Sequence, residues 1–259
     1  MSTDKKTIDW YNNNADKFTS HVRNPKDSVY HAYYEKPAMY SLIPDIKNKS
    51  VLSLGCGSGE DSAYLKNLGA NKSVGIDISS ELIKIAKESH QGCRFEVMDM
   101  GHLNFPDSSF DFVYSSLAIH HIENWAKTFK EVYRVLKPNS YFLFSCGHPV
   151  KYAMEVLDTE THRISKLEIS RNKETKEITI VGDYLNKTKY IDELGKDTVN
   201  SWHKSFSEIA SELFSAGFLI EQIVEPRPLK KLEEISPETY KRLMKIPEFV
   251  IFRLLKPNN

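Results

Sequence analysis

Residues 51–60 read VLSLGCGSGE, and this stretch decides the fold. A short apolar run at 51–54 passes into the glycine turn GCGSG at 55–59, and a helix-compatible segment follows at 60–68. An apolar run, a glycine turn and a helix in this order are typical of the first strand-turn-helix unit of an open α/β sheet. Because ligands of such sheets bind at the carboxyl ends of the strands, the stretch also predicts where a ligand site lies.

The alternation of strands and helices continues beyond this unit. Strands are predicted at 73–76, 94–98, 110–115, 141–146, 218–224 and 249–255, and helices at 80–88, 124–136 and 207–215. Such alternation predicts a parallel sheet covered by helices on both faces, and the two final strands suit an antiparallel edge. We therefore expect an α/β fold with a Rossmann-like sheet of seven strands, mostly parallel, with an antiparallel last strand.

Two segments lie outside this regular pattern. Residues 1–46 have a helical, aromatic-rich pattern, which predicts a helical flank or lid. Residues 148–205 combine a charged stretch at 159–177, expected to be solvated surface, with short strands predicted at 178–185 and 199–203, and we interpret them as a cap inserted after strand five. A single domain is expected, in four parts: the flank at 1–46, a ligand-binding core at 47–147, the cap at 148–205 and closing elements at 206–259.

Composition excludes several classes of protein. Lys and Arg together number 35, as do Asp and Glu, so the chain as a whole has no charge that would attract nucleic acid. The first residues lack the apolar core of a signal peptide, and no apolar run is long enough to cross a membrane, which predicts a cytoplasmic protein without a membrane partner. Cys56, Cys93 and Cys146 show no metal-ligand spacing, which predicts neither a disulfide framework nor a zinc site.

The residues after the glycine turn indicate which ligand it binds. The dinucleotide fingerprint requires glycine at position 60, where this chain has Glu60 followed by Asp61. Two carboxylates at a helix N-terminus disfavour a pyrophosphate, whereas S-adenosylmethionine carries positive sulfonium and ammonium groups and no phosphate. Asp77 ends the second strand at the offset where a carboxylate accepts hydrogen bonds from ribose hydroxyls, and Asp99 ends the third strand, where it is expected to reach the adenine amino group.

Five stretches of the sequence then form a recognisable set. They are VLSLGCGSGE at 51–60, VGID ending at Asp77, EVMDM containing Asp99, FDFVYSSLAIHHI at 110–122 and RVLKPNSYFLF at 134–144. Together they resemble the class I S-adenosylmethionine-dependent methyltransferases, especially the group that includes the ubiquinone and menaquinone biosynthesis methyltransferases. The resemblance is strong over residues 45–147 and weaker over 205–256.

The resemblance implies a set of cofactor-binding residues. Gly55, Gly57 and Gly59 would line the methionine part of the cofactor, Asp77 would hold the ribose, and Tyr11 would be the aromatic residue of the flank that covers the cofactor. Asp99 and Met100 would contact adenine, and Ser115 and Ser116 would border the sulfonium. The full predicted set is Tyr11, Gly55, Cys56, Gly57, Gly59, Asp77, Ile78, Asp99, Met100, Ser115 and Ser116.

Catalytic and acceptor-binding residues are less constrained by the sequence. His120 and His121 follow strand four, where a bound acceptor meets the methyl group, and either one is a candidate for the base that removes the acceptor's proton. Related quinone-pathway enzymes hold a metal with acidic residues here, but this chain has Leu117 and His120 instead, so no metal is expected. The ends of the cap offer candidate walls of a substrate pocket: His148, Trp202 and His203.

The acceptor itself is not fixed by these motifs. The Pro-Pro-aromatic motif of nucleic-acid amino-methyltransferases is replaced after strand four by Ser116-Leu117-Ala118. Because the net charge is also zero, we expect a small-molecule acceptor. Methylation of RNA or protein remains the alternative, as does a protein that binds S-adenosylmethionine without catalysis.

Overall fold

The computed structural model describes residues 1–194 and 197–258, beginning with a helical flank. The flank contains α1 (Lys5–Asn13), α2 (Ala15–Arg23), a π-helical turn (His31–Glu35) and α3 (Lys36–Ser41). Asp4 begins α1, because its carboxylate accepts the backbone N–H of Thr7. The helical flank predicted from the sequence is therefore present.

The core follows the predicted order of elements. It contains β1 (Ser50–Leu54), α4 (Glu60–Asn67), β2 (Lys72–Asp77), α5 (Ser80–Ser89), β3 (Arg94–Val97), β4 (Phe110–Ser115), a 3-10 turn (Ile119–His121), α6 (Trp125–Val135) and β5 (Leu136–Gly147). Ser79 and Asn124 cap α5 and α6 with side-chain oxygens that accept backbone N–H groups. These local signals explain why the helices begin where the sequence predicts them.

Residues 148–205, called the insert from here on, hold more strand than predicted. They contain α7 (Pro149–Ala153), β6 (Glu155–Asp158), β7 (Arg163–Lys166), β8 (Glu168–Arg171), β9 (Ile178–Val181), β10 (Thr188–Leu194) and β11 (Asp197–His203), paired as three antiparallel hairpins in the described part of the chain. The stretch 159–177, predicted as solvated surface, is almost entirely exposed, and it also contains β7 and β8, which the charged pattern did not predict. The strand predicted at 178–185 ends early, where Gly182 turns with φ of 84°.

The chain closes with α8 (Phe206–Ala216), β12 (Leu219–Val224), α9 (Lys231–Ile235), α10 (Pro237–Leu243) and β13 (Phe249–Lys256). Ser205 caps the start of α8, and Gly217 ends it in the left-handed region with φ of 101°. No helix in the described ranges has the length and apolar character needed to span a membrane.

One seven-stranded sheet organises the molecule, in the order β12-β13-β5-β4-β1-β2-β3. Strand β13 runs antiparallel to β5 and β12, while the pairs from β5 to β3 are parallel. Phe142 and Phe144 pack with Phe129 of α6 on one face, and Leu143 packs with Leu65 of α4 on the other. The predicted fold class is confirmed, and the strand order reverses between β1 and β4, which is where such sheets bind ligands.

Candidate functional site

A cavity of about 390 Å³ opens at this reversal point. Its sheet side is lined by six of the predicted cofactor residues: Gly55, Gly57, Asp77, Ile78, Met100 and Ser116. Tyr11 of the flank, together with His120 and His121 of the 3-10 turn, lines the same space. The structure thus brings together residues that are more than 100 positions apart in the sequence, as the parallel sheet predicts.

The glycine turn at 55–59 packs closely against the loop after β4 and against Phe95, which leaves no space for side chains at Gly55 and Gly59. Gly55 and Gly57 have φ of 59° and 54°, and a Cβ on Gly55 would lie 2.4 Å from the Cβ of Ala118 in the loop after β4. Glycine is therefore required at Gly55 for the two loops to meet. Gly59 does not line the cavity: it precedes α4, and a Cβ there would lie 2.8 Å from the ring of Phe95. Glycine at this position allows the close packing against Phe95, and its contact with the ligand stays a prediction.

Asp77 is held at the floor of the cavity by backbone donors. One carboxylate oxygen accepts the N–H of Gly57 at 2.9 Å, and the other accepts the N–H of Ser79, also at 2.9 Å. Burial raises the pKa of Asp77, while the N–H groups of Ser79 and Gly57 act in the opposite direction. Since each carboxylate oxygen has a second lone pair, Asp77 can accept further hydrogen bonds from a ligand.

Three other predicted cofactor residues lie outside the cavity lining. Cys56 packs against Ile83 beneath the turn, and the Ser115 hydroxyl donates to the carbonyl of Leu54 at 3.1 Å. Asp99 accepts the backbone N–H of Ser2 at 2.6 Å, so the N-terminal segment covers it. Each of these side chains thus has another contact in the fold, and the ligand contacts predicted for Cys56, Ser115 and Asp99 stay predictions.

The two acidic residues after the glycine turn also face away from the ligand space. Glu60 accepts a hydrogen bond from Arg23 at 2.6 Å, and Asp61 pairs with Lys36 and accepts the Tyr40 hydroxyl at 2.8 Å. Both carboxylates are thus compensated by cations, and neither lines the cavity. The effect of their charge on the choice of ligand, which the sequence analysis inferred, stays a prediction.

His121 is oriented by contacts on both ring nitrogens. Its Nδ1 lies 3.0 Å from the carbonyl oxygen of Asn200, and its Nε2 lies 3.1 Å from the hydroxyl of Tyr11. A carbonyl only accepts, so Nδ1 carries the proton and the Nε2 lone pair accepts from Tyr11. Burial lowers the pKa of His121, which keeps the ring neutral near neutral pH.

His120 adopts the opposite arrangement. The backbone N–H of Gly147 donates to its Nδ1 at 3.4 Å, so the proton of the neutral ring resides on Nε2. Burial, followed by electrostatic interaction with His121 and Lys151, holds the pKa of His120 well below its usual value. The ring lines the cavity as a hydrogen-bond donor.

The substrate-pocket residues predicted from the ends of the insert do not line this cavity. His148 caps α7 and contacts Glu225 at 3.0 Å, Trp202 lies under the ammonium of Lys187, and His203 contacts the carbonyl of Tyr184 at 2.9 Å. All three side chains contact partners within the fold, and a role of His148, Trp202 and His203 in acceptor binding stays a prediction.

A second wall of the cavity, called the charged wall from here on, is formed by four charged or polar residues: Lys151, Tyr152, Asp192 and Glu248. Lys151 contacts Glu248 at 2.5 Å and lies 4.0 Å from Asp192, which accepts the Tyr152 hydroxyl at 2.9 Å. Asp192 also accepts the hydroxyl of Ser201, whose oxygen lies 3.2 Å from Nδ1 of His121. The wall is therefore connected by hydrogen bonds to the histidine pair.

Sequence reasoning missed this wall for two reasons. Lys151 lies in α7, four residues after the end of β5, and the rule that strand ends face the ligand could have pointed to this segment. Asp192 lies in the middle of a hairpin of the insert, and nothing in the sequence near it shows which way that hairpin packs.

Comparison with known proteins adds a second line of information. A family described as a methyltransferase domain matches residues 52–144. An uncharacterized protein of Haemophilus influenzae is 30% identical over 203 residues, which cover 74% of this chain and 76% of that protein. Malonyl-[acyl-carrier protein] O-methyltransferase of Pectobacterium atrosepticum is 31% identical over 107 residues, 41% of this chain and 42% of the relative, so this match spans less than half of that enzyme's length.

A solved structure extends the similarity over most of the chain. The crystal structure of an S-adenosylmethionine-dependent methyltransferase from Mesorhizobium loti has a TM-score of 0.71 and 26% sequence identity. The match covers 88% of this chain and 99% of that one. The similarity therefore includes the flank or the insert in part, and is not confined to the central sheet.

Proposed function

This chain belongs to the S-adenosylmethionine-dependent methyltransferases, and on that basis we propose that it methylates a small molecule held between the flank and the insert. One observation carries the proposal: a single cavity joins Asp77 at the sheet to a second wall that contains His121 and Asp192. A donor and a small acceptor bound in one enclosed space are aligned with each other and shielded from water.

The residues around Asp77 fit the cofactor. The free lone pairs of the Asp77 carboxylate suit the two ribose hydroxyls. The missing side chain of Gly57 keeps space open in front of Phe18, whose ring would lie 3.5 Å from a Cβ at this position. Ile78 and Met100 supply apolar surface for the adenine ring. These residues would hold the cofactor against the sheet.

The chain's own residues then exclude water and align the acceptor. When bound, S-adenosylmethionine would supply a methyl group on a positively charged sulfur; the acceptor atom would bond to the methyl carbon in line with the carbon–sulfur bond, which breaks to leave neutral S-adenosylhomocysteine. Tyr11 and Phe18 meet edge to face, with ring centroids 5.3 Å apart, and close the flank side of the cavity. An apolar cover of this kind keeps water from the reacting atoms.

The Tyr11–His121 pair provides the route for the acceptor's proton. Burial raises the pKa of the Tyr11 hydroxyl, so this group does not ionise by itself. We assign it a concerted role: Tyr11 passes its proton to Nε2 of His121 and takes the proton that leaves the acceptor. His121 finishes with protons on both nitrogens, and the carbonyl of Asn200 stabilises the resulting cation at Nδ1.

His120 and the charged wall have a different task in this proposal. Because Nε2 of His120 is a donor, it holds an acceptor oxygen or nitrogen in place and does not remove its proton. Lys151 and Asp192 offer one donor and one acceptor on the same wall. A small polar acceptor is thus contacted on several sides.

Fractionated extract tests the proposed acceptor class. The purified protein is incubated with methyl-labelled S-adenosylmethionine and, separately, with ultrafiltered metabolites, total RNA and total protein from a cell extract. We expect label to enter the metabolite fraction, to be lost with His121→Ala and to persist with His162→Ala, an exposed histidine of the insert. Label in RNA or protein alone would overturn the proposal, and cofactor binding without any transfer would indicate a non-catalytic protein.

A further inference from the structure

The flank changes its helical geometry beside the cavity. In the π-helical turn His31–Glu35, the backbone N–H of Lys36 bonds to the carbonyl of His31, five residues earlier. Single π-turns within helices occur frequently at functional sites. Glu35, the last residue of this turn, contacts the loop after β4, and Lys36, the first residue of α3, contacts the first turn of α4, directly after the glycine turn.

Glu35 holds the loop that follows β4. Its side chain is fully buried, and its Oε1 accepts the hydroxyl of Ser116 at 2.9 Å and that of Ser145 at 2.5 Å. The Ser145 oxygen in turn accepts the backbone N–H of Leu117 at 3.0 Å. Leu117 has φ of 49°, a left-handed conformation that costs energy for a residue with a side chain. The carboxyl of Glu35 therefore anchors a strained backbone that lines the cavity.

Lys36 holds the other loop. Its ammonium pairs with Asp61, and the side chains of the two residues are only 16% and 12% exposed. Asp61 lies in the first turn of α4, directly after the glycine turn, and also accepts the hydroxyl of Tyr40. Such a shielded, hydrogen-bonded pair is far less weakened by water than a surface ion pair.

We propose that Glu35 and Lys36 form a clamp that sets the positions of both cofactor loops before the cofactor binds. Adjacent helical residues point about 100° apart, so one short turn can reach two loops at once. The loops meet where Ala118 packs against Gly55, so the position of one constrains the other. A clamp of this kind raises cofactor affinity by removing the cost of ordering the loops on binding.

Glu35 and Lys36 are positioning residues, since neither lines the cavity. The clamp acts on the cofactor loops and is independent of which acceptor the enzyme uses. Within the described part of the chain, Oε2 of Glu35 has no hydrogen-bond partner. All its polar contacts therefore run through Oε1, and a glutamine whose amide oxygen takes that place can make the same two hydrogen bonds.

Calorimetric titration with S-adenosylhomocysteine tests the clamp. We expect Glu35→Ala to weaken S-adenosylhomocysteine binding about tenfold or more, because the strained backbone of Leu117 would relax in the free protein and would have to be ordered again on binding. The affinity of Glu35→Gln should stay within about twofold of that of the parent protein. Glu212→Ala is the control for lost stability. Glu212 lies on α8, away from both loops, and its carboxylate pairs with the buried ammonium of Lys204. This variant should lower the melting temperature and leave the affinity for S-adenosylhomocysteine unchanged.

A second variant keeps the test open if Glu35→Ala does not fold. Ser145→Ala removes the hydroxyl that connects Glu35 to Leu117 and should weaken S-adenosylhomocysteine binding several-fold. Unchanged affinity in Ser145→Ala and Glu35→Ala would overturn the clamp, as would equal loss of affinity in Glu212→Ala. Failure to restore binding with Glu35→Gln would contradict the role given to the Oε1 contacts.

Discussion

His120 and His121 are adjacent in the chain, with ring centroids 4.4 Å apart, yet their neighbours give them opposite tautomers. The carbonyl of Asn200 requires a proton on Nδ1 of His121, whereas the N–H of Gly147 requires a lone pair on Nδ1 of His120. Only His121 therefore presents a lone pair at Nε2. The sequence made both histidines candidates, and the backbone groups that distinguish them come from distant strands.

The variant Tyr11→Phe separates the two roles proposed for Tyr11, which are proton transfer by its hydroxyl and covering of the cofactor by its ring. The phenyl ring keeps the edge-to-face contact with Phe18 but removes the hydroxyl that contacts His121. We expect kcat to fall by about 10²- to 10⁴-fold, the range of general acid–base catalysis, with S-adenosylhomocysteine affinity nearly unchanged. Turnover with the identified acceptor and calorimetric titration measure the two quantities.

Phe18→Leu serves as the matched variant for Tyr11→Phe, because it removes an aromatic ring from the same side of the cavity and leaves both the Tyr11 hydroxyl and His121 in the chain. It should weaken cofactor affinity more than Tyr11→Phe does. A Tyr11→Phe enzyme with unchanged kcat would show that its hydroxyl carries no proton.

At the scale of elements, the β10–β11 hairpin joins the insert to the side of the cavity that contains His121. It supplies the carbonyl of Asn200, the hydroxyl of Ser201 and the carboxylate of Asp192. The cross-strand pair Tyr190 and Ser201 shows that these residues belong to one antiparallel register. A shift of this hairpin would therefore alter the charged wall and the histidine together.

Asp192→Ala tests the hairpin's role in acceptor binding. Loss of this carboxylate leaves the hydroxyls of Tyr152 and Ser201 without their acceptor and removes a charge near Lys151. We expect KM for the acceptor to rise about tenfold, as for loss of one charge-assisted hydrogen bond, while cofactor affinity stays the same. Glu168→Ala, on another hairpin of the insert, should leave KM unchanged. A larger loss of cofactor affinity than of acceptor binding would contradict this assignment.

The elements also show how much of the fold and of the candidate site can be predicted from the sequence. Strand β1, the glycine turn and Asp77 could be predicted from a local pattern, because residues at the carboxyl end of a parallel strand lie at the edge of the sheet where ligands bind. Asp99 has the same kind of position, but a long-range contact with Ser2 covers it. Neither this contact nor the packing of the β10–β11 hairpin produces a recognisable pattern in the nearby sequence. The charged wall of the cavity therefore could not be predicted from the sequence.

At the scale of the whole molecule, histidines that the fold keeps neutral make stability depend on pH. Burial lowers the pKa of His31 to about 4, and it lowers those of His120 and His121 as well. In the unfolded chain these groups take up protons near pH 6.5, so each costs up to ~1.4 kcal/mol of stability per pH unit below that value. The contribution is fully present above pH 6.5 and is lost as the pH falls toward the folded-state pKa.

We therefore expect the free energy of unfolding to fall between about pH 7 and about pH 5, and to fall less steeply in His31→Asn. Urea denaturation at the two pH values measures the slope. His162→Asn, at an exposed position, should keep the parent slope. Equal slopes in the parent and in His31→Asn would contradict the burial effect on His31.

The central claim is that this sheet binds S-adenosylmethionine through Asp77 and the glycine turn. Calorimetric titration of the protein and of Asp77→Ala with S-adenosylmethionine, S-adenosylhomocysteine and NAD tests it most directly. We predict binding of both sulfur ligands and not of NAD, with an affinity about a hundredfold lower in Asp77→Ala because two charge-assisted hydrogen bonds are lost. Binding of NAD in place of the sulfur ligands, or equal affinity in Asp77→Ala, would contradict the account.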